Sequence, residues 1–307
     1  MSTALHTAEQ TAALLPYPTL AASIAQLLMD NSVRVPARLV ERLATGASLF
    51  VMPAHDAQWA ITKLITFVQA NGARGLPAIQ GDIVVFDART GQRLALLDGP
   101  TVTARRTAAV SLLAAQRLAP NPNGPMLVVG AGVQGLAHVE AFHAGLGIRE
   151  IVVASRSLAS AEALVQRARA LGLRARRVDD PNSALTDCPL VVSATPANGV
   201  VLHGPLRPDA FVAAVGAFTP QMVEWSARVC QDVAQQGTVV VDTRDADHEA
   251  GDLLQAGLDV PSFPCLADVI RQAPRWSSHA PSHGPVLFKS CGWAGWDLAA
   301  VRCAMAR

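Results

Sequence analysis

Three glycines near the middle of the chain, Gly130, Gly132 and Gly135, have the spacing G-x-G-x-x-G. They follow the apolar run from Met126 to Val129 and precede residues with a helical pattern, which predicts a strand, a tight turn and a helix. In this arrangement the glycines permit the turn, let backbone N–H groups approach a pyrophosphate, and allow the helix to pack closely on the strand. The helix N-terminus then presents unpaired N–H donors to the phosphates. The pattern therefore predicts a dinucleotide-binding site.

The end of the next predicted strand, Ile151 to Ala154, indicates which dinucleotide is bound. An NAD site usually has an acidic residue there, about 20 residues after the glycines, that binds the ribose 2′-hydroxyl. This chain has Ser155, Arg156 and Ser157 instead, and a guanidinium can pair bidentately with a 2′-phosphate. A solvated loop whose serine caps the next helix would have the same sequence. We favour NADPH as the cofactor, with NADH as a second dinucleotide that the site accepts.

Cationic residues occupy two regions of the sequence where a positive charge is unfavourable. Alternation along the predicted strand from Trp59 to Val68 places Lys63 in the middle of an apolar face. A buried, unpaired ammonium is costly, so Lys63 either reaches water along its stem or meets an anionic or imine-bearing ligand. Arg105 and Arg106 lie in the first turn of a predicted helix, where the helix dipole favours anions. Arg106 therefore indicates an anion site, whereas Arg105 is expected to be solvated.

Composition narrows the possible functions. Of the 307 residues, 50% are hydrophobic and 16% are charged, and the net charge of +1 gives no reason to expect nucleic-acid binding. No apolar run approaches the roughly 20 residues of a membrane span, and the N-terminus lacks a signal-peptide pattern, so we expect a cytoplasmic protein with no membrane contact. The five cysteines are scattered without a C-x-x-C pair. We therefore expect buried, reduced thiols, and neither disulfides nor a metal site.

Strands and helices continue to alternate after the glycines, with strands predicted over residues 174–178, 190–193, 210–215 and 238–241. The carboxyl ends of strands in an open parallel sheet line the ligand crevice, so Thr195 and Gly216 are candidate cofactor contacts. Three acidic residues that follow the last of these strands are expected only to cap and charge a helix, namely Asp242, Glu249 and Asp252.

The pattern before residue 118 is different, because helices are followed there by several consecutive strands and a hairpin. We therefore predict an α/β fold with two domains. An N-terminal α/β domain covers residues 1–118, and a doubly wound Rossmann domain covers residues 119–287. The apolar C-terminal segment, residues 288–307, is expected to return to the first domain.

These features together resemble the ornithine cyclodeaminase/mu-crystallin family over nearly the whole chain. The resemblance implies that the N-terminal domain is completed by a C-terminal helix, binds substrate and joins two subunits in a homodimer. It also implies that Arg38, Lys63 and Arg106 gather round the carboxylate and the reacting nitrogen of the substrate. The segments that carry the resemblance are Pro36-Ala37-Arg38, Met52-Pro53, Lys63, Asn71-Gly72, Asp98 to Ala109, Gly130 to Gln134, Glu249-Ala250-Gly251-Asp252 and Phe288 to Gly292.

Two positions depart from the cyclodeaminases of this family. They carry an Asp after Val-Gly-x that handles the distal amine, whereas this chain has Phe218, and Met222 stands where a family Lys would be. A phenyl ring cannot accept a proton. The resemblance therefore points to members that reduce cyclic ketimines, with Phe218 as an apolar wall for an unsubstituted ring.

The resemblance thus implies an NAD(P)H-dependent oxidoreductase that reduces the C=N bond of a small cyclic imine carboxylate. The products would be L-proline from Δ1-pyrroline-2-carboxylate or L-pipecolate from Δ1-piperideine-2-carboxylate. An ornithine or lysine cyclodeaminase, an alanine-dehydrogenase-like enzyme and a non-catalytic NADPH-dependent binding protein are the alternatives. The proton source is open between a protonated iminium, water and Lys63.

The predicted site residues form two groups. Those expected to bind substrate, the first three of them catalytic, are Arg38, Lys63, Arg106, Phe218 and Cys291. Those expected to bind the cofactor are Thr107, Gly130, Gly132, Val133, Gln134, Gly135, Ser155, Arg156, Ser157, Thr195, Val215, Gly216 and Ser290.

Overall fold

The computed structural model describes residues 3–44, 46–272 and 284–306, which form two compact units. Unit 1 contains the chain up to Arg106 and again from Trp293, and unit 2 contains Thr107 to Gly292. The division falls inside one continuous helix, earlier than the boundary that the sequence predicts after residue 118. The chain returns to unit 1 at Trp293, whereas the sequence analysis places the return at residue 288.

Unit 1 contains a sheet of six strands, and two helices lie near its N-terminus. The sheet order is β1-β6-β5-β4-β3-β2, and all neighbours are antiparallel except β1 and β6. In chain order the elements are β1 (Ala4–Leu5), α1 (Ala8–Leu14), α2 (Tyr17–Met29), β2 (Leu39–Arg42), β3 (Ser48–His55), β4 (Trp59–Phe67), β5 (Ile79–Asp87), β6 (Arg93–Asp98) and α3 (Gly99–Leu118). A 3-10 helix covers Gln69–Arg74.

Unit 2 is built on a parallel sheet of seven strands with the order β14-β15-β12-β10-β7-β8-β9. A separate parallel pair is formed by β11 and β13. The elements are β7 (Met126–Val129), α4 (Val133–Leu146), β8 (Glu150–Ala154), α5 (Leu158–Ala170), β9 (Arg174–Arg177), β10 (Leu190–Ser193), β11 (Asn198–Leu202), β12 (Phe211–Ala214), β13 (Val223–Trp225), α6 (Ala227–Gln236), β14 (Thr238–Val241), α7 (Gly251–Gln255), α8 (Leu266–Arg271) and β15 (Val286–Lys289). Short 3-10 helices cover Pro181–Ala184, Arg244–His248 and Val260–Ser262.

The last helix, α9 (Ala294–Met305), belongs to unit 1 and packs against α2, β3 and β4. Its alanine-rich surface allows close approach, and the Ser23 hydroxyl of α2 donates to the Ala299 carbonyl at 2.8 Å. One face of β4, which includes Ile61 and Ile65, is buried. The opposite face is open within unit 1, where Leu64 is 46% exposed. The sequence prediction that β4 has one buried face is therefore confirmed.

The seven-stranded sheet of unit 2 accounts for the apolar runs of the sequence. Strands β7, β10 and β12 are buried along their whole length, as parallel strands covered on both faces must be. The doubly wound parallel sheet that the sequence predicts for the Rossmann fold is confirmed by this topology. No single helix among the described residues could cross a membrane, although the bent pair of α1 and α2 meets the requirement in length and composition alone.

Candidate functional site

Three charged side chains meet inside unit 1. Lys63, from the middle of β4, is 1% exposed, and its Nζ lies 2.8 Å from Oδ2 of Asp297. Arg106, from α3, is 7% exposed, and its Nε lies 3.4 Å from Oδ1 of the same carboxylate. Asp297 itself has no exposed surface. Two cations therefore share one buried carboxylate, an arrangement that we call the unit 1 cation cluster.

The surroundings of Lys63 make its ammonium easier to deprotonate. Burial is the largest cause, and together with the positive charges of Arg106 and Arg38 it lowers the pKa of Lys63 to about 8. The Asp297 carboxylate opposes this change and raises the pKa. Arg38, half-buried before β2, is thus close enough to act on Lys63. The structure accordingly brings together the three predicted substrate-binding cations, Arg38, Lys63 and Arg106.

The unit 1 cation cluster retains capacity for a further ligand. Among the described residues, neither oxygen of Asp297 nor Nε of Arg106 has a hydrogen-bond partner with acceptable angles, so the contacts at 2.8 and 3.4 Å are ion pairs without good hydrogen-bond alignment. Buried polar atoms in folded proteins nearly always have partners. A small carboxylate could accept hydrogen bonds from both cations, and Lys63 could exchange a proton at near-neutral pH.

Two expectations about these cations are corrected by the structure. Lys63 neither reaches water nor depends on a ligand for a counter-charge, because Asp297 supplies one. Arg105 is not solvated: its Nε donates to the Leu15 carbonyl at 2.8 Å, and its guanidinium lies 3.9 Å from the ring centre of Tyr17. Because α3 begins at Gly99, both arginines also lie beyond its first turn, where the helix dipole has little effect.

Asp297 was missed in the sequence analysis. It lies in the first turn of α9, where an acidic residue is favourable for the helix dipole and needs no further explanation. The available signal was that Asp297 is the one acidic residue of that helix and stands among apolar residues that are all buried. A carboxylate in such a position requires a cationic partner.

The glycine loop of unit 2 has the geometry of a phosphate-binding turn. Gly130 has a φ of +106°, and a Cβ there would lie 2.5 Å from the Ala194 carbonyl oxygen. A Cβ at Gly135 would lie 2.1 Å from the Gly130 carbonyl oxygen, so α4 packs tightly on the loop. Gly132 caps α4, whose first N–H groups have no partners within the helix. These features fit a dinucleotide pyrophosphate.

Two further groups on this loop fit a bound dinucleotide. Val133 is 72% exposed although it is apolar, and the buried Oε1 of Gln134 has no hydrogen-bond partner among the described residues. A ligand that covers the loop would shield the first and could supply a donor to the second. Ser155, Arg156 and Ser157 follow β8 as predicted. Ser157 caps α5 by accepting from the Ser160 amide at 3.2 Å, while Arg156 is exposed.

The carboxylate of Glu224 joins the ends of two strands in unit 2. It is fully buried, and its Oε1 accepts from the amide and hydroxyl of Thr195 at 2.7 and 2.8 Å. Its Oε2 accepts from the Gly216 amide at 2.9 Å and from the Ser193 hydroxyl at 3.0 Å. Burial raises the pKa of Glu224, which the Thr195 hydrogen bonds counteract. Glu224, which the sequence analysis missed, thus fixes two predicted cofactor contacts.

Asp242 holds the loop that follows β15 in a similar way. Its Oδ2 accepts from the Ser290 hydroxyl at 2.8 Å, the Cys291 amide at 3.0 Å and the Gly292 amide at 2.8 Å. Burial raises the pKa of Asp242, against the effect of these donors. The expectation that Asp242 only caps a helix is wrong, because the chain it fixes is 48 to 50 residues away.

Asp252 is also buried and has more partners than a helix-capping residue requires. Its Oδ1 accepts from the amides of Glu224 and Trp225 at 2.6 and 3.0 Å, and its Oδ2 lies 2.7 Å from Nζ of Lys289. Although burial by itself lowers the pKa of Lys289, the Asp252 carboxylate raises it above its ordinary value. We call Glu224, Asp242, Asp252 and Lys289 the unit 2 carboxylate network.

The remaining predicted residues of unit 2 are distributed over several elements. Thr107 is buried in α3, Val215 and Gly216 follow β12, and Phe218 is half-buried just after them. Of the five cysteines, Cys188, Cys230 and Cys265 are buried as expected, whereas Cys291 and Cys303 are half-buried. Within the ranges that the structure describes, no group of three or more His, Cys, Asp or Glu side chains is placed to hold a metal ion.

The chain is similar to one protein family, to curated reductases and to several solved structures. A sequence model of the ornithine cyclodeaminase/mu-crystallin family matches residues 3–306. Δ1-Pyrroline-2-carboxylate reductase 1 of Burkholderia multivorans is 38% identical over 301 residues, which cover 97% of this chain and 93% of the relative. The solved structure of Thermococcus litoralis Δ1-pyrroline-2-carboxylate reductase with NADH and L-proline has a TM-score of 0.85 at 21% identity, covering 99% of this chain and 96% of that one. An archaeal alanine dehydrogenase dimer with bound NAD has a TM-score of 0.87 at 22% identity, covering 99% of this chain and 95% of that one.

Proposed function

Because the chain belongs to the ornithine cyclodeaminase/mu-crystallin family, we propose that it is a ketimine reductase that uses a nicotinamide dinucleotide. The substrates are small cyclic imine carboxylates, Δ1-pyrroline-2-carboxylate and Δ1-piperideine-2-carboxylate. The products are L-proline and L-pipecolate. Relatives that share 37–38% identity over nearly all of this chain are named as reductases of the first substrate, and one of them also of the second.

The observation that carries this proposal is the unit 1 cation cluster. Lys63 and Arg106 are buried on a single carboxylate and retain donors for an anion, with Arg38 near them. A cyclic imine carboxylate offers one carboxylate and one basic nitrogen, which match two guanidinium groups and one ammonium. We assign Arg38 and Arg106 to the substrate carboxylate and Lys63 to the region between the carboxylate and the nitrogen.

In unit 2 we assign the dinucleotide to the glycine loop and the strand ends beside it. Gly130, Gly132 and Gly135, with Val133 and Gln134, hold the pyrophosphate. Thr107, Thr195, Val215, Gly216 and Ser290 are the further contacts. When bound, the dinucleotide supplies the hydride that is added to the C=N carbon. The task of the protein is positioning, because correct orientation of two reactants can contribute about 7–11 kcal/mol to lowering the barrier.

The presence of Phe218, where the cyclodeaminases have Asp, distinguishes this proposal from cyclodeamination. The side chain is half-buried and offers no group that could accept a proton or bind a distal amine. We assign Phe218 to the apolar wall beside the ring, with Cys291 as a further substrate contact. A ring with no distal amine needs no polar partner there, whereas ornithine or lysine would leave a charged amine without one.

We assign NADPH as the preferred form of the cofactor, with NADH as a weaker alternative. Arg156 supports this assignment, because it is exposed at the end of β8 and no carboxylate stands beside it in Ser155 or Ser157. A reaction that consumes a reduced dinucleotide is consistent with a cytoplasmic protein, and separation of the membrane and cytosolic fractions of the source cells would test the location.

We further propose that the protein is a homodimer joined through the open sheet face of unit 1. Leu64 is 46% exposed on this face, and Leu39 of β2, which lies in the same cross-strand row, is 57% exposed. A structural neighbour is described as a dimer. Replacement of Leu64 by Arg should yield a monomer in size-exclusion chromatography with light scattering, and a parental protein that is already monomeric would contradict the proposal.

An Arg106→Ala variant tests the substrate clamp. Loss of one partner of a desolvated charge pair costs about 2–5 kcal/mol, so kcat/KM for the cyclic imines should fall about 30-fold or more. The dissociation constant for NADPH should stay at the parental value. Arg105→Ala is the matched control, because Arg105 is adjacent but contacts Leu15 and Tyr17. Imine reduction by Arg106→Ala at the parental rate would show that the clamp is wrongly assigned.

A further inference from the structure

The proposed reduction needs a proton as well as a hydride. Addition of a hydride to the carbon of a neutral C=N bond leaves the nitrogen with an electron pair that must take up a proton. A general acid is most effective when its pKa lies near the working pH. Lys63 meets this requirement, because its pKa is about 8, whereas the guanidinium groups of Arg38 and Arg106 cannot release a proton in a protein.

Asp297 controls the position of Lys63. The carboxylate stands between the two cations, 2.8 Å from Nζ of Lys63 and 3.4 Å from Nε of Arg106, and has no exposed surface. Its helix, α9, is packed on β3 and β4, so the carboxylate is held on a rigid element. An ammonium on a flexible four-carbon stem gains a fixed direction from such a partner.

We propose that Asp297 is a positioning residue for the ketimine reduction, and that it holds the Lys63 ammonium so that Lys63 gives its proton to the imine nitrogen. The inference rests on the proposed function. In this step an N–H bond of Lys63 breaks and an N–H bond forms on the ring nitrogen. The C=N double bond becomes a single bond as the carbon receives the hydride, so the imine is reduced and the dinucleotide oxidised. Lys63 then recovers a proton from water.

The charged groups that face Lys63 determine the direction in which its pKa should change when the Asp297 charge is removed. Asp297 on α9 favours the ammonium, and Arg106 on α3 and Arg38 before β2 disfavour it. Met52 and Ile83, the neighbours of Lys63 on β3 and β5, carry no charge. Loss of the Asp297 charge therefore leaves an ammonium that is repelled by two guanidinium groups and deprotonates at lower pH.

The experiment is the pH profile of kcat for Asp297→Asn and for the parental enzyme, with saturating NADPH and either cyclic imine. The parental kcat should fall as the pH rises through about 8. In Asp297→Asn this alkaline limb should move to lower pH by about 1–3 units, because a nearby opposite charge shifts a pKa by that amount. The dissociation constant for NADPH should stay unchanged, and Asp297→Glu, which keeps the charge, should leave the limb near its parental position.

A uniform loss of kcat at every pH, without movement of the limb, would overturn the inference and leave Asp297 with a structural role only. If both enzymes are fully active and the alkaline limb lies at the same pH in Asp297→Asn as in the parental enzyme, the titrating group is the substrate, and the inference is again overturned. Lys63→Arg extends the test if Asp297→Asn does not fold. It keeps the charge but removes the proton donor, so kcat should fall about 10²- to 10⁴-fold with a smaller change in KM. Absence of imine reduction in the parental enzyme would instead refute the proposed function itself.

Discussion

The two buried charge clusters of this protein use carboxylates in opposite ways. In the unit 2 carboxylate network, the carboxylates of Glu224, Asp242 and Asp252 each accept several hydrogen bonds from backbone or side-chain donors. In the unit 1 cation cluster, one carboxylate faces two cations, and neither of its oxygens has an aligned hydrogen bond with any part of the chain that the structure describes. The first cluster is complete as folded, whereas the second retains donors that a ligand can use.

The lysines of the two clusters show the same contrast. Burial lowers the pKa of Lys63 to about 8. Burial also acts on Lys289, but there the neighbouring Asp252 carboxylate outweighs it and raises the pKa. An ammonium with a lowered pKa destabilises the folded state, and one with a raised pKa stabilises it. The comparison indicates that the buried ammonium of Lys63 lowers the stability of the fold, whereas that of Lys289 raises it.

The largest effect should follow removal of the unit 1 ammonium. In Lys63→Met the proton donor is lost, so kcat for cyclic imine reduction should fall about 10²- to 10⁴-fold. The free energy of unfolding at neutral pH should stay the same or rise, because Asp297 keeps Arg106 as a partner and the costly ammonium is gone. Rate measurements and urea unfolding of the same preparation give both numbers. A large loss of stability would contradict the contrast between the lysines.

The pH dependence of stability independently tests whether the Lys63 ammonium destabilises the folded state. The folded-state pKa of Lys63, about 8, lies below its ordinary value of 10.5. The unfolded chain therefore binds more protons between these values, and the cost of the buried ammonium, which is present below about pH 8, is relieved as the pH rises towards 10.5. Urea unfolding from pH 8 upward should show this gain in the parental protein and not in Lys63→Met. Equal slopes in the two proteins would contradict the assignment.

Removal of the unit 2 ammonium should instead weaken the fold. Lys289→Met leaves the Asp252 carboxylate buried without its ion-pair partner, and breaking such a pair costs about 3–5 kcal/mol. The backbone donors of Glu224 and Trp225 remain on Asp252, so the loss should lie at the lower end of that range. Chemical unfolding monitored by tryptophan fluorescence measures it. Stability equal to that of Lys63→Met would remove the distinction between the clusters.

The smallest effect is expected at the exposed edge of unit 2. Arg156→Ala should weaken NADPH binding by about 1 kcal/mol, as a solvent-exposed charge pair allows, and leave NADH binding unchanged. Raising the salt concentration should reduce the parental preference for NADPH and have less effect on the variant. Fluorescence titration with both dinucleotides provides the constants. Equal losses for both would assign Arg156 to a part of the cofactor that they share.

The sequence predicted the elements whose evidence is local. The glycine loop, the strands around it and the buried face of β4 each follow from residues close together in the chain. Asp297 and Glu224 were missed, because their partners belong to other elements of the fold. Glu224, in β13, contacts Thr195 at a separation of 29 residues and Gly216 at a separation of 8 residues. Arg105 was wrongly expected to be solvated for the same reason, since the carbonyl it binds is 90 residues away. Local patterns identify a costly charge, but only the fold identifies its counter-charge.

The measurement that tests the central proposal most directly is the oxidation of NADPH by purified protein with Δ1-pyrroline-2-carboxylate and with Δ1-piperideine-2-carboxylate. The same preparation is incubated with ornithine and NAD⁺ while ammonia is measured, and with pyruvate, ammonia and NADH. We expect reduction of at least one imine, no ammonia from ornithine and no oxidation of NADH with pyruvate and ammonia. Ammonia release from ornithine without imine reduction would contradict the proposal and show that Phe218 does not exclude cyclodeamination.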